Sequence, residues 1–249
     1  QHSVRFSPYR HGQGDIVGEL AAACQDCGLR FGVYLSPWDR NHAEYGREAY
    51  TVYYRNQLGE LLTRYGSVFE VWFDGANGGD GYYGGAREQR HIDRSTYYRW
   101  TQVHELVRQL QPHAIMFSDA GPDCRWVGNE RGVGAETNWA TLRLEGMYPG
   151  GNYGDRLTSG DADGTHWVPA EVDVSIRPGW FYHAAENGQV KNAQQLMGIH
   201  HSSIGNGCNL LLNVPPDRRG RIHETDAQNL LAFRRAVDRA FGDDLAAGA

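Results

Sequence analysis

The chain has 249 residues, enough to bury a substantial core, and we expect a single domain over residues 1–249. Its formal net charge of −6, without a run of Lys or Arg, gives no electrostatic footprint for nucleic acid or for an anionic membrane surface. No stretch approaches the roughly 18 to 20 apolar residues that cross a bilayer, so the composition favours a neutral ligand and no membrane association.

The first half of the chain repeats a helix followed by a strand. Apolar residues at helical spacing predict helices over residues 15–29, 48–65 and 95–111. A short apolar run follows each helix and predicts a strand, over residues 31–36, 68–73 and 113–118. Helices that alternate with strands through short turns indicate parallel strands with crossover helices.

The second half resumes this alternation after an interruption. An aromatic segment at 172–183 precedes a helix near 189–203, a strand at 209–214 and a closing helix at about 224–241. Between residues 130 and 172, Gly, Asp and Thr dominate without periodicity, so we expect long loops that follow strands. The predicted fold class is α/β, a (β/α)-barrel-like catalytic domain, with an open doubly wound sheet as the alternative.

Polar side chains cluster where three predicted strands end, which is where barrel enzymes place their active sites. The residues concerned are Tyr34, Ser36, Trp38, Asp39 and Arg40 after the first strand, Trp72 and Asp74 after the second, and Ser118 and Asp119 after the third. Asp74 is the sharpest candidate, because the strand ends there and Gly75 lets the chain turn away. A turn-forming role for this Asp-Gly pair is the alternative.

A strand-end carboxylate such as Asp74 would serve glycoside hydrolysis only with a second carboxyl group, because one group attacks the sugar or activates water and the other protonates the leaving oxygen. The candidates are Glu130, Glu136 and Glu171. Glu130 lies in a segment whose aromatic and Gly-rich neighbours would desolvate it, whereas Arg131 beside it would favour its charged form. From composition alone, a surface loop residue is the alternative reading of Glu130.

No metal site or organic cofactor is predicted. Cys24 and Cys27 form one CxxC inside a predicted helix, without a second pair or a His pair at zinc spacing. The segment 161–164 resembles the start of a calcium loop but lacks the third acidic ligand and the later Glu.

Five segments resemble the α-L-fucosidases of glycoside hydrolase family 29, in the same order along the chain. They are residues 31–40, 71–76 with Trp72-Phe73-Asp74-Gly75, 125–130 with Trp126-Val127-Gly128-Asn129-Glu130, 171–183 and 207–214. Segment 171–183 looks like the branch of that family that prefers α-1,3/1,4-linked fucose. Together the five segments span nearly the whole chain.

The resemblance implies a retaining mechanism on a barrel-like domain, with a fucosylated oligosaccharide or glycoconjugate as substrate and no metal or cofactor. Asp74 matches the position of the nucleophile and Glu130 that of the acid/base. The positions that match sugar-contacting residues are Tyr34, Trp72 and Arg125, with Trp38, Asp39 and Trp180 as softer matches.

The chain also departs from the family pattern. Family members carry first barrel strands and a His-His-Asp-Gly-Phe string upstream of the position of Gln1, and a β-sandwich downstream; we expect this chain to lack both. Unpaired strand edges would then favour homo-oligomers.

Two other functions remain open from the sequence. One is a non-catalytic fucose-binding protein or inactive fragment, and the other is a glycosidase of different sugar preference. The compartment is open as well: the N-terminus shows no charged-then-apolar signal segment, and the resemblance is compatible with a periplasmic or secreted protein.

Overall fold

A computed structural model describes residues 3–75 and 79–243 of the chain, so Ala76 of the second family-like segment lies outside the described residues. The chain divides into two compact units. The first unit comprises Gln1–Asp123 and Gly146–Gly151, and the second comprises Cys124–Glu145 and Asn152–Ala249. The prediction of a single domain over 1–249 stays a prediction.

The first unit alternates helices and strands. Its elements are two 3-10 turns (Val4–Phe6 and Tyr9–Gly12), α1 (Ile16–Asp26), β1 (Gly32–Tyr34), α2 (Glu48–Arg64), β2 (Glu70–Trp72), β3 (Gly81–Tyr83), β4 (Glu88–Arg90), α3 (Trp100–Leu110) and β5 (Ile115–Ser118). Asp15 starts α1 as its N-cap, because its carboxylate accepts the backbone N–H of Gly18 at 3.0 Å.

Strand β2 lies between β1 and β5, and both pairings are parallel. In this register Val71 lies opposite Val33 on one side and Met116 on the other. Strands β3 and β4 form a separate antiparallel hairpin. Because parallel strands end at one edge of a sheet, the residues that follow β1, β2 and β5 share that edge.

The core of the first unit is large and rich in aromatic residues. The buried members include Leu58 and Leu62 of α2, Val71 and Phe73 at β2, and a tyrosine group formed by Tyr45, Tyr50, Tyr54, Tyr83 and Tyr98. Burial of this much apolar surface is the main force that holds the sheet against its helices.

The second unit contains shorter elements and more irregular chain. Its elements are β6 (Cys124–Trp126), β7 (Thr141–Leu142), α4 (Asp155–Ser159), β8 (His166–Trp167), β9 (Ala170–Ser175), a 3-10 turn (Ala184–Gln189), α5 (Ala193–Ser203), a second 3-10 turn (Ile204–Asn206), β10 (Asn209–Asn213) and α6 (Glu224–Phe241). Strand β9 pairs in parallel with β6 and with β10, whereas β7 and β8 form a small antiparallel pair.

Buried charge is the distinctive feature of the second unit. Its apolar cluster is small and consists of Val127, Ala170, Val172 and Cys208, with Leu210 packed against it. In the same unit, the side chains of Arg177 and Asp226 form an ion pair in which both are 0% exposed. A buried pair of this kind is stable only when hydrogen bonds satisfy both charges.

The predicted α/β class is confirmed, since the strands β1, β2 and β5 pair in parallel, as do β6, β9 and β10, and these strands alternate with helices. The closing helix was predicted at its observed bounds, and α2 within one residue. Helix α3 begins five residues later than predicted, because Asp93 caps the preceding turn through Ser95 and Thr96, and Arg99 takes a left-handed conformation.

Two further predictions need correction. The helix expected from residue 189 begins at Ala193, where Asn192 and Gln195 form a capping box. The stretch 130–172, expected to be loop, also holds β7, α4 and β8. These elements are too short to show periodicity. Among the described residues, no helix is both long and apolar enough to cross a membrane.

Candidate active site

Asp74 lies two residues beyond the end of β2, which pairs with β1 on one side and β5 on the other. The Tyr34 hydroxyl, from the end of β1, donates a hydrogen bond to its Oδ2. Burial raises the pKa of Tyr34 far above its ordinary value, and the hydrogen bond and negative charge of Asp74 raise it further. Tyr34 therefore stays protonated at neutral pH and keeps donating to the carboxylate.

A stack of three aromatic rings stands beside this pair, one ring from each strand. Tyr34 stacks on Trp72 at 5.2 Å between ring centroids, and Trp72 stacks on Phe117 at 4.2 Å. The Tyr34 side of the stack is open, with 56% of Tyr34 exposed. The structure thus brings together the predicted residues Tyr34, Trp72 and Asp74. Phe117 was not singled out from the sequence, because an apolar residue within a strand carries no signal of a site.

The segment after β1 carries two more predicted site residues. Asp39 accepts the backbone N–H groups of Asn41 and His42 at 2.9 and 3.2 Å, so its carboxylate shapes the turn. Trp38 is 36% exposed, and the Arg40 guanidinium lies 6.0 Å from the centroid of its ring. About a third of Trp38 is thus open to solvent, and Arg40 lies over one face of its ring.

Tyrosines of α2 hold the start of this segment in place. The Tyr50 hydroxyl donates to the Pro37 carbonyl at 2.8 Å, and the Tyr54 hydroxyl donates to the Leu35 carbonyl at 3.2 Å. Burial raises the pKa of both tyrosines far above the ordinary value, so both remain donors.

A third carboxyl group lies at the same strand edge. Asp119 follows β5, is 8% exposed, and accepts the Gly150 N–H at 2.8 and 2.9 Å with its two oxygens. Burial raises the pKa of Asp119 to about 6; the charge of Asp74 raises it too, whereas the Gly150 N–H lowers it. From the sequence, Asp119 was predicted to lie at a strand end, without a role in the site.

Glu130 belongs to the second unit, in an exposed turn after β6. The Asn129 carbonyl oxygen Oδ1 accepts the Arg131 N–H at 3.1 Å, and its Nδ2 donates to the Val133 carbonyl at 2.9 Å. The Trp180 indole Nε1 donates to Glu130 Oε2 at 3.2 Å. This hydrogen bond joins two predicted site residues that lie 50 positions apart: Glu130, predicted as the acid/base, and Trp180, predicted as a sugar contact.

Hydrogen bonds from polar side chains hold the segment that carries Trp180. Asn213 Nδ2 donates to the Trp180 carbonyl and to Ser175 Oγ, both at 3.0 Å. Arg177 donates from Nε and Nη2 to the two carboxylate oxygens of Asp226, both at 2.8 Å. This bidentate pair joins the segment after β9 to the first turn of α6.

Arg125 is 0% exposed, and its guanidinium bonds to protein acceptors on several sides. It donates to the carbonyl oxygens of Leu157 and Trp139 at 2.9 Å each, to Asn138 Oδ1 at 2.8 Å, and to the Val168 carbonyl. These bonds join loops of the second unit, and the sugar contact that the resemblance implies for Arg125 stays a prediction.

The structure separates the three acid/base candidates of the sequence. Glu171 lies in β9 and is 7% exposed, whereas Glu130 and Glu136 are exposed. Glu130 accepts a hydrogen bond from an indole whose own position is fixed. Glu171 is thus the buried candidate and Glu130 the one with an indole donor, and the choice among the three stays a prediction. Within the described ranges, no group of three or more His, Cys, Asp or Glu side chains is arranged to hold a metal ion.

The sequence profile of the family described as alpha-L-fucosidase matches residues 2–235 of the chain. This chain belongs to the α-L-fucosidase family. It is similar to alpha-L-fucosidase 1 of Arabidopsis thaliana, with 43% identity over 98% of this chain and 46% of the relative. The chain spans about half the length of the curated relatives it matches.

Solved structures of the family agree with this assignment. A glycoside hydrolase 29 family member from an unknown rumen bacterium has 50% identity and a TM-score of 0.90, covering 97% of this chain and 43% of its own. A Ruminococcus gnavus family 29 fucosidase, solved in complex with fucose, has 28% identity and a TM-score of 0.78, covering 96% and 50%. The first match confirms the predicted incomplete (β/α)-barrel-like fold.

Proposed function

We propose that this chain carries the catalytic carboxyl groups of a retaining exo-α-L-fucosidase that removes terminal α-1,3/1,4-linked L-fucose from oligosaccharides or glycoconjugates. The observation that carries the proposal is the strand-end carboxylate of Asp74, which accepts the Tyr34 hydroxyl beside the Tyr34, Trp72 and Phe117 ring stack. A carboxylate next to an accessible aromatic face suits a sugar whose apolar side covers the ring while its anomeric carbon meets the carboxylate.

In the first step of the proposed reaction, Asp74 is the nucleophile and Glu130 is the acid. Asp74 attacks the anomeric carbon, the bond to the leaving oxygen breaks, and Glu130 gives that oxygen its proton. The hydrogen bond from Tyr34 orients one oxygen of Asp74, and the mechanism assigns the attack on the sugar to this carboxylate. The product of this step is a fucosyl ester of Asp74.

The second step reverses the roles. Glu130, now a carboxylate, takes a proton from water while that water attacks the anomeric carbon and releases Asp74. Its indole donor, Trp180, is suited to this step because it can hydrogen-bond the carboxylate form. Two inversions leave the α configuration unchanged.

Family relatives support fucose as the substrate sugar. The name of the Arabidopsis relative describes an α-L-fucosidase, and the Ruminococcus gnavus enzyme was solved with fucose bound. The preference for α-1,3/1,4 linkages is supported by the likeness of segment 171–183 to one branch of the family. Trp38 and Trp180 would contact the sugar or its acceptor.

The test is turnover of an activated aryl α-L-fucoside by the parent protein and by Asp74→Ala, with and without azide. We expect kcat to fall by about four to six orders of magnitude, the range seen when single residues of a covalent catalytic group are removed. Azide should restore turnover in Asp74→Ala and yield the inverted β-fucosyl azide. Glu130→Gln should lose activity while the matched control Glu136→Gln, at another exposed glutamate, keeps it.

The product and the linkage need their own measurements. Proton NMR of the first-formed sugar should show α-L-fucose, and β-L-fucose would contradict a retaining mechanism. Oligosaccharides with α-1,3- or α-1,4-linked fucose should react faster than those with α-1,2- or α-1,6-linked fucose. If a folded parent turns over no fucoside but binds fucose, and Asp74→Asn binds it equally well, the chain is a fucose-binding protein.

A further inference from the structure

Gly75 directly follows Asp74 and lies against the Asp119 carboxyl group. A Cβ atom at position 75 would lie 2.5 and 2.8 Å from the two carboxylate oxygens of Asp119 and 2.6 Å from its Cγ. Real Cβ atoms do not approach other atoms this closely. Gly75 does not have the left-handed backbone conformation that favours glycine elsewhere in this chain, so space and not backbone angle requires a glycine here.

Asp119 cannot easily yield to a side chain at position 75, because its carboxyl group is fixed. Both of its oxygens accept the Gly150 N–H, and the side chain is 8% exposed. The segment that carries Gly150 is itself attached to the unit, because Arg94 Nη1 donates to the Gly150 carbonyl at 3.4 Å. Asp119 thus links the end of β5 to this segment, and its carboxyl group occupies the space that a side chain at position 75 would need.

The electrostatic surroundings explain why this carboxyl group is held by a neutral donor. In the part of the chain that the structure describes, no Lys, Arg or His nitrogen lies within ion-pair distance of Asp119, and the charge that acts on it is that of Asp74. A cation beside Asp119 would also act on the neighbouring carboxylate of Asp74. A backbone N–H holds the side chain in place without that effect.

We propose that Asp119 is a positioning residue for Asp74. Its carboxyl group, held by the Gly150 N–H, lies against Gly75, limits where the backbone of residue 75 can lie and so sets the direction in which the Asp74 carboxylate points. The proposal rests on the proposed role of Asp74 as nucleophile. Asp119 does not itself contact the sugar in this assignment. Its contribution is the shape and fixed location of a planar group between the end of β5 and the residue that follows Asp74.

The test compares Gly75→Ala, Asp119→Ala, the double variant and Asp119→Asn with the parent protein. Gly75→Ala should lower kcat about a hundredfold, since small misplacements of a reacting group cost that much. The double variant should regain at least about tenfold over Gly75→Ala, because the new methyl group enters the space that Asp119 vacated. Asp119→Asn keeps the planar shape and an acceptor for Gly150, and should stay within about threefold of the parent.

Gly59→Ala is the matched control, because a Cβ atom at that position in α2 would meet nothing within 4 Å. It should leave kcat unchanged. Equal losses in the Asn and Ala variants of Asp119 would overturn the proposal and assign the effect to charge. Strictly additive losses in the double variant would overturn it as well, since they would show that residues 75 and 119 do not meet. A purely structural role would lower the stability of the Asp119 variants and leave kcat per folded molecule unchanged.

A second readout separates this proposal from the proposed function. The side-chain carboxyl ¹³C resonance of Asp74 should move in Gly75→Ala and return toward the parent position in the double variant. If the folded parent turns over no fucoside, the proposed function fails. This resonance still decides whether Asp119 positions Asp74, as does any non-additivity of the unfolding free energies of Gly75→Ala, Asp119→Ala and the double variant. An unmoved resonance in Gly75→Ala would overturn the proposal.

Discussion

In the first unit the candidate nucleophile follows a strand that is packed on both sides, whereas in the second unit the candidate acid/base lies in an exposed turn. Asp74 is placed by β2, by a hydrogen bond from Tyr34 and by an aromatic core. Glu130 is placed by Trp180, whose segment depends on the buried pair of Arg177 and Asp226. One unit holds its carboxyl group by apolar packing and the other by a polar network.

The difference suits the two proposed roles. A nucleophile needs one fixed direction toward the anomeric carbon, and a strand end in a close-packed core provides it. An acid/base must exchange protons with a leaving group and with water, so exposure is an advantage for Glu130. Its position must then come from hydrogen bonds, which are directional but easily lost when one member is removed.

The largest expected effect is on the buried ion pair. Asp226→Ala leaves the Arg177 charge buried without its partner, and the free energy of unfolding should fall by about 3 to 5 kcal/mol. Urea unfolding measures this. The matched control is Asp238→Ala, which breaks the exposed pair with Arg234 and should cost less than about 1 kcal/mol. Equal losses in both variants would contradict the view that buried charge organises the second unit.

A cavity in the first unit should have the next largest effect. Leu58 is 0% exposed in α2, and Leu58→Ala should lower the free energy of unfolding by about 2 to 5 kcal/mol. Leu231→Ala in α6 removes the same atoms from a side chain that is 60% exposed, and should cost no more than about 0.5 kcal/mol. A small loss at Leu58 would show that packing matters less in this unit than its buried tyrosines suggest.

Titration of Asp119 should make the stability of the protein depend on pH. Its pKa rises from an ordinary 3.8 to about 6 on folding, so the folded protein keeps a proton that the unfolded chain has released. The free energy of unfolding should therefore fall by roughly 3 kcal/mol as the pH rises from 3.8 to about 6, and should stay level at higher pH. Asp119→Asn should lack this part of the pH dependence. Identical pH profiles for parent and variant would show that the group is not buried as described.

The smallest expected effect is on the hydrogen bond between Trp180 and Glu130. Trp180→Phe keeps an aromatic ring and removes the N–H donor, so kcat should fall about three- to tenfold while the unfolding free energy changes little. Trp167→Phe, at a tryptophan that is 73% exposed, should leave kcat unchanged. A Trp180→Phe variant with full activity would indicate that Glu130 is held by other groups.

Local patterns were enough to predict the elements that surround Asp74. Helices at 48–65 and 224–241 were predicted within one residue, because a 3.6-residue apolar period and capping residues are properties of consecutive residues. The same reasoning located the strand before Asp74, since a short apolar run that ends in Asp-Gly is visible in a single sequence. Tyr34 and Trp72 were named for the same reason, as polar or aromatic residues at strand ends.

The partners of these residues could not be predicted in the same way. Asp119 meets Gly75 and Gly150 across gaps of tens of residues, and Arg177 meets Asp226 across 49. Such contacts depend on which strands and loops the whole chain brings together, and no local period encodes them. Arg125 shows this as well, because nothing in its own segment indicates the carbonyl oxygens of Leu157 and Trp139 that accept its hydrogen bonds.

The sequence by itself therefore indicated the longer helices, the strands β1, β2, β5 and β10, and the family, and it named the candidate carboxyl groups. Tertiary structure alone decided which side chains hold those groups: Tyr34 on Asp74, Trp180 on Glu130, and Asp119 against Gly75. The physical reason is that helix and strand formation is governed by neighbours along the chain. The position of a buried charge is governed by every group that replaces its lost water, wherever that group lies in the sequence.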